Sequence, residues 1–223
     1  MNRYACLLII IFICCFVLFD IFKLNNVSGN LDLFGRIIYL DAGHGGADPG
    51  AIYGNIYESN INLDITRKLR DGLSLRGATV YMTRDDDNDL SYPYANLRKK
   101  SDLINRAHMI DKSGADMFIS IHLNSSSDNS WSGAQVFYDD INKKNKILAD
   151  IIQQQFKKDL KTSKEIKEIR DLYMYKNTKT LGVLVEVGFI SNPIERKKLL
   201  TSSYQDKIVK SLITSISNYF NGL

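Results

Sequence analysis

From Arg36 onward, short apolar runs take turns with apolar positions spaced at helical intervals. Ile37-Ile38-Tyr39-Leu40 is a β-branched run ending in Asp41-Ala42-Gly43, which predicts a strand feeding a glycine-rich loop. Ile61, Ile65, Leu69 and Leu73 recur every four residues between Glu58 and Arg76, a helical stripe that Gly77 can end. Thr79–Thr83 alternates as a strand does. Leu97, Leu103, Ile104, Ala107 and Ile110 share a face of a helix over Leu97–Lys112, closed by Ser113-Gly114. Met117–Leu123 has the composition of a strand buried on both faces, and Gly133–Tyr138 reads as another. A helix over Lys144–Leu160 carries Ile147, Leu148, Ile151, Ile152 and Phe156. Tyr173-Met174-Tyr175 reads as a short strand and Gly182–Val187 as a strong one. Tyr204–Phe220 is a helix with Ile208, Leu212, Ile216, Tyr219 and Phe220 on its buried stripe. Strands and helices in turn, with no internal repeat, predict a single α/β domain: a twisted, mostly parallel sheet with helices on both faces.

A different pattern precedes this body. Ala5–Phe19 is an unbroken apolar run of 15 residues with Arg3 before it and Asp20 after it. It is shorter than the roughly 20 residues that span a bilayer, and it fits the basic start and apolar heart of an export signal. Ile21 and Phe22 extend the run if Asp20 sits at the interface, so residues 1–24 read as a signal peptide or signal anchor. The protein is therefore expected outside the cytoplasmic membrane, secreted or anchored, touching the membrane only through this segment. Residues 25–35, with Asn25, Asn26, Ser28, Gly29 and Asn30, read as a linker, and residues 36–223 as the functional domain. All three cysteines, Cys6, Cys14 and Cys15, lie in the export segment, which leaves the domain without disulfides or thiolate ligands.

Composition narrows the classes further. Hydrophobic residues at 44% and charged residues at 24% exclude wholesale disorder. The net charge of +4 falls to +3 without residues 1–24, which hold Arg3 and Lys23 against Asp20. That surplus is small, and no basic block with interleaved aromatics occurs, so nucleic acid is not a partner.

Two of the three histidines stand where predicted strands end: His44 in Gly43-His44-Gly45-Gly46, and His122 just before Asn124-Ser125-Ser126. Ligands of open α/β sheets bind beyond the carboxyl ends of the strands, so these imidazoles can converge. No Lys-Ser/Thr follows the glycines, which removes the phosphate-cradle reading. His108 sits within a predicted helix and is assigned a structural or exposed position. Glu58 opens a helix, where the macrodipole alone stabilises an acid. Glu186 lies inside the apolar run Val183–Phe189, where a charge is costly unless paired, making it a candidate general base or metal ligand. Two histidines and one carboxylate form a catalytic zinc set with an open position, and a second carboxylate can take a proton from water there. With no cysteine in the domain and no Ser-His-acid motif, a nucleophilic enzyme is not indicated.

The segments Leu40-Asp41-Ala42-Gly43-His44-Gly45-Gly46, Glu58, Thr83-Arg84-Asp85, Ser120-Ile121-His122-Leu123-Asn124 and Val185-Glu186-Val187-Gly188-Phe189-Ile190-Ser191-Asn192 together resemble the zinc-dependent N-acetylmuramoyl-L-alanine amidases. That family cuts the amide joining muramic acid to the peptide stem of peptidoglycan. The resemblance runs from about Arg36 to Phe220. It implies a six-stranded sheet, one zinc ion held by His44, Glu58 and His122, and Glu186 as the catalytic carboxylate. Asp41 is the expected residue orienting a ligand histidine. Leu97-Arg98 with Asp102-Leu103, Ser113-Gly114-Ala115-Asp116 and Trp131–Tyr138 resemble the family's sporulation and germination branch. That branch implies spore cortex as substrate, a downstream deacetylase completing muramic δ-lactam, and a location at the cell wall or spore envelope. No wall-binding repeats are evident, so retention on substrate is assigned to the cleft, the N-terminal segment or an accessory protein. Ten residues separate His122 from Gly133, too few for the self-blocking insertion of division-type relatives. The rival readings are a zinc peptidase cutting within the stem and an inactive wall-binding homologue.

Overall fold

The computed structural model describes residues 31–170 and 173–222. The expected export segment, and the linker up to Asn30, lie outside the described residues. In chain order the elements are β1 (Ile37–Ala42), β2 (Ile52–Tyr53), β3 (Ile56–Tyr57), α1 (Glu58–Ser74), β4 (Thr79–Met82), α2 (Arg98–Lys112) and β5 (Met117–Asn124). They continue with β6 (Gln135–Tyr138), α3 (Lys143–Leu160), β7 (Lys167–Glu168), α4 (Tyr173–Lys176), β8 (Gly182–Phe189), α5 (Pro193–Leu199) and α6 (Ser202–Phe220). None of these helices is long and apolar enough to cross a membrane.

Six strands form one sheet in the order β4-β1-β5-β8-β6-β7, and β2 and β3 make a separate hairpin. The four strands β4, β1, β5 and β8 are parallel, while β6 runs antiparallel to β8 and β7 lies parallel to β6. Alternate side chains of a strand face opposite sides, which divides the core in two. On one side Ile38, Leu40, Ile119, Ile121, Val183 and Val185 pack with the stripes of α1, α3 and α6. On the other, Tyr39, Phe118, Leu184 and Phe137 pack with Ala107 and Ile110 of α2 and Met174 and Tyr175 of α4. The chain is thus the expected helix-covered, mostly parallel sheet.

Several local expectations change. Tyr173-Met174-Tyr175 is a helical turn rather than a strand. The consecutive Met174 and Tyr175 are both buried against one face of the sheet, which a strand would not allow. Ile147 is 57% exposed, because α3 turns Leu148, Ala149, Ile152 and Phe156 inward instead. Leu97 is also exposed, standing at the N-cap of α2. The packed body starts at Asp32, ahead of the expected Arg36. Leu33 is fully buried, its N–H donates to Arg76 O at 3.1 Å, and Asp32 pairs with Arg76 at 3.0 Å. The pattern did not reveal β2–β3 and β7, which are two residues per strand. Nor did it reveal α5, although Asn192-Pro193 announces it: Asn192 Oδ1 accepts from the N–H groups of Ile194 and Glu195, and Pro193 occupies the first turn.

One close approach fixes how β8 meets β5. A Cβ on Gly182 would lie 2.2 Å from the Phe118 ring, which covers the Gly182 backbone. Gly182→Ala is expected to cost about 1–3 kcal/mol by overpacking. Urea unfolding should show a lower midpoint with the slope unchanged.

Candidate metal centre

The site begins where β1 ends. Gly43 N–H donates to Ile121 O at 3.0 Å, extending the β1–β5 pairing by one step. His44 then takes φ +63°, a left-handed conformation unusual for a residue with a side chain. Gly45 and Asp48 exchange backbone hydrogen bonds of 2.7 and 3.1 Å, closing a tight loop. Inside that loop Asp48 Oδ2 lies 2.9 Å from His44 Nδ1 and leaves Nε2 to point at Glu58.

Glu58 opens α1 and is only 4% exposed. Its Oε2 accepts from Ala51 N–H at 2.9 Å, and its Oε1 accepts from Leu123 N–H at 3.0 Å. That same Oε1 lies 3.1 Å from His44 Nε2 and 3.3 Å from His122 Nδ1. The two imidazole rings meet edge to face, with centroids 4.9 Å apart. Burial opposes ionisation of Glu58, but hydrogen bonds and charge from His122 and His44 outweigh it and hold the carboxyl far below its usual range.

Three donor atoms, one from each of His44, Glu58 and His122, lie within 4.8 Å of one another, so this group could hold a metal ion. The backbone is cut back to make room for all three. A Cβ on Gly43 would stand 2.2 Å from His122 Cε1. One on Gly50 would stand 2.7 Å from Glu58 Oε2 and 2.8 Å from His44 Cδ2. The donor set and this cradle fit a borderline divalent cation.

Glu186 belongs to the neighbouring strand. It is the register partner of His122 across β5 and β8, so the two side chains leave the same face of the sheet side by side. Its Oε2 is buried and has no hydrogen-bond partner among the described residues. Burial, followed by the charge of Glu58, pushes its carboxyl up to about 8 against the opposing pull of His44. His44, His122 and Glu186 all line a cleft of about 260 Å³. His108 faces solvent, as expected of a residue outside the site.

Asp41 does not orient either histidine. Its Oδ1 accepts from Thr83 Oγ1 and Arg106 Nη1, both at 2.8 Å, and its Oδ2 accepts from Ser120 Oγ at 2.5 Å. The orienting acid is Asp48, whose position four residues after His44, across Gly45-Gly46, was the available signal. Sequence reasoning also missed Arg106, which is 1% exposed. It donates to Asp102 Oδ2, Asp41 Oδ1, Ala42 O and His44 O, each at 2.8 Å. Arg84, from the Thr83-Arg84-Asp85 segment, donates to Ala42 O at 2.9 Å, Gly43 O at 3.0 Å and Ser59 O at 2.9 Å. Two guanidinium groups thus hold three consecutive carbonyls of the loop that presents His44.

A sequence-family model described as N-acetylmuramoyl-L-alanine amidase matches residues 38–218. The germination-specific N-acetylmuramoyl-L-alanine amidase of Bacillus subtilis (strain 168) is 41% identical over 195 residues, covering 86% of this chain and 82% of its own. The CwlD amidase of Clostridioides difficile, solved in complex with the GerS lipoprotein, superposes with a TM-score of 0.80 at 37% identity. That match covers 85% of this chain and 100% of the CwlD chain. The catalytic domain of CwlV, an amidase from Bacillus (Paenibacillus) polymyxa var. colistinus, superposes with a TM-score of 0.73 at 25% identity, over 83% of this chain and 98% of that one.

Arg106→Met keeps the side chain's length and removes its charge, leaving Asp41 and Asp102 buried without their partner. The loss expected at pH 7 is about 3–5 kcal/mol. In the wild type, burial of Asp41 is outweighed by Arg106 and Ser120, which hold its carboxyl at about 2, below the usual aspartate range. A depressed carboxylate contributes stability above its unfolded value and loses it as pH falls toward the folded one. Denaturant melts should therefore show the wild type losing stability from about pH 4 to pH 2, with the gap to Arg106→Met narrowing over that window.

Proposed function

The chain belongs to the N-acetylmuramoyl-L-alanine amidase family, enzymes acting on peptidoglycan, and from that premise we propose a zinc-dependent hydrolysis carried out by four of its side chains. His44, Glu58 and His122 would hold one Zn²⁺, and Glu186 would serve as the general base. The observation that carries the reading is the register pairing of His122 with Glu186, which sets a half-buried carboxylate with one buried, unpartnered oxygen beside the His-Glu-His group.

When bound, zinc supplies Lewis-acid polarisation of the scissile carbonyl and lowers the pKa of a bound water toward about 7. Glu186 accepts the proton of the attacking water as the new carbon–oxygen bond forms. It then delivers that proton to the L-alanine nitrogen as the carbon–nitrogen bond breaks. The products are a lactyl carboxylate on the muramic acid and a free amino end on the stem. Asp48 fixes the His44 ring through Nδ1, and Leu123 N–H and Ala51 N–H fix the Glu58 carboxylate. These contacts set the ligand geometry before substrate arrives.

The likeness to the germination-specific enzyme and to CwlD supports a role on spore cortex, in preparing muramic acid for δ-lactam formation by a deacetylase and in germination. The CwlD complex with a lipoprotein supports an accessory protein for this chain as well. Residues 1–24 would export the enzyme to the cell wall or spore envelope, with the body from Asp32 onward as its catalytic domain.

Digestion of purified peptidoglycan, followed by mass spectrometry, should give intact stems beginning at L-alanine. A cut inside the stem would make the chain a peptidase, and no product would make it a binding homologue. Glu186→Gln should retain zinc while turnover falls by roughly 10²–10⁴. Glu58→Gln should lose zinc together with activity, because a neutral amide is the poorer ligand. Metal content by emission spectroscopy reads the difference, and the opposite result would exchange the two roles.

A further inference from the structure

Three cations open α2: Arg98, Lys99 and Lys100. Helix stability does not explain them. Cations in a first turn oppose the macrodipole, and this turn has neither an acid nor a side-chain cap. Two of the three are engaged by other partners. Arg98 pairs with Asp89 at 2.7 Å, and the Lys100 ammonium lies 5.2 Å from the centre of the Tyr173 ring. Lys99 alone of the three lines the cleft that holds His44, His122 and Glu186.

A contact fixes its place there. Lys99 Nζ lies 3.3 Å from Asp48 Oδ2, the same oxygen that is 2.9 Å from His44 Nδ1. One carboxylate oxygen therefore separates the ammonium from the ring of a candidate ligand. The cleft's other basic side chain, Arg106, is buried and spent on Asp41 and Asp102. The Lys99 side chain is 69% exposed and has three N–H donors, of which Asp48 takes one. Two further hollows, of about 310 and 550 Å³, adjoin the cleft of about 260 Å³, and Lys99 is the one residue lining all three. A chain leaving the cleft toward either hollow passes its ammonium.

We propose that Lys99 is a specificity-determining residue, recognising a free carboxylate on the stem residue next to L-alanine. An extended peptide spans about 3.3–3.6 Å per residue, which sets that carboxylate about 7 Å from the scissile carbonyl and any later one further out. The two contacts that link Lys99 to the His44 ring cover a comparable distance. Donation to a carboxylate is charge-assisted, and a carboxamide in its place carries no charge. The inference rests on the reading of His44, Glu58 and His122 as the centre of an amidase.

The test uses the full-length, zinc-loaded enzyme and two soluble muropeptides. One has D-glutamate after L-alanine, and the other its amide, D-isoglutamine. The wild type should favour the acid by about 3- to 10-fold in kcat/KM, mostly through KM. That range lies between an exposed ion pair and a charged hydrogen bond. Lys99→Met should bring the ratio close to one, and Lys99→Arg should keep most of it, with zinc content unchanged in both. Added salt should shrink the wild-type ratio. A wild type indifferent to the amide, or a ratio that survives Lys99→Met, would overturn the proposal. So would an equal loss on both stems or a loss of zinc, since Lys99 would then act only through Asp48. A wild type that releases no L-alanine-ended stem from either muropeptide would overturn the amidase reading itself.

Discussion

The grip of Arg84 and Arg106 on the carbonyls of Ala42, Gly43 and His44 is the interaction from which the rest of the site follows. Both guanidinium groups are at most 3% exposed, so neither can rely on water for its charge. Arg106 answers this with two carboxylates, Asp41 and Asp102. Arg84 is surrounded by carbonyls, and burial with the nearby charge of Arg106 lowers its pKa to about 10. Each arginine is satisfied only if the loop turns its oxygens inward. Doing so sends the loop amides the other way, where Asp87 and Asp89 receive those of Gly46 and Ala47. The left-handed backbone at His44 is the conformational cost of that arrangement, roughly 1–2 kcal/mol. It is borne by the same contacts that aim the imidazole at Glu58.

Apolar packing supplies the platform and polar contacts supply the aim. The face of the sheet holding Tyr39, Phe118 and Leu184 is apolar toward the start of the parallel strands. It becomes polar toward their carboxyl ends, at Asp41, Ser120, His122 and Glu186. The opposite face stays apolar through the same registers, against α1, α3 and α6. A charged group at a strand end is thus braced from behind by close-packed aliphatic side chains that cannot move away. Groups held in this way need little reorganisation when a reaction develops charge beside them.

Periodicity revealed the long helices and the long strands because each buries a continuous stripe. It failed where burial follows another rule. Met174 and Tyr175 look like a strand fragment, but both fill the space above Phe118, and a helical turn accomplishes that. The hairpin of Ile52–Tyr53 and Ile56–Tyr57 is too short to carry a period. The residues of the candidate centre stood out singly, as histidines at strand ends and a carboxylate in an apolar run. Their orienting partners did not. Asp41 is the nearer acid to His44 in sequence, yet its strand direction sends it to Arg106 and Ser120, while Asp48 reaches the ring because the loop doubles back. Such a reversal depends on the glycines and on two arginines from distant segments, which no local window contains.

The pairing of His122 with Glu186 across β5 and β8 carries a consequence for how such a molecule changes over time. Neighbouring strands are about 4.8 Å apart whatever loops they carry. The separation between the proposed ligand and the proposed base is therefore inherited from the sheet as a ready-made ruler. The rims are independent of it: the Gly43–Asp48 loop, α4 and the start of α2, which line the cleft, come from separate stretches of chain. Descendants can exchange those rims and so meet new glycans, new stems or new companions. The reactive spacing need not be rediscovered each time.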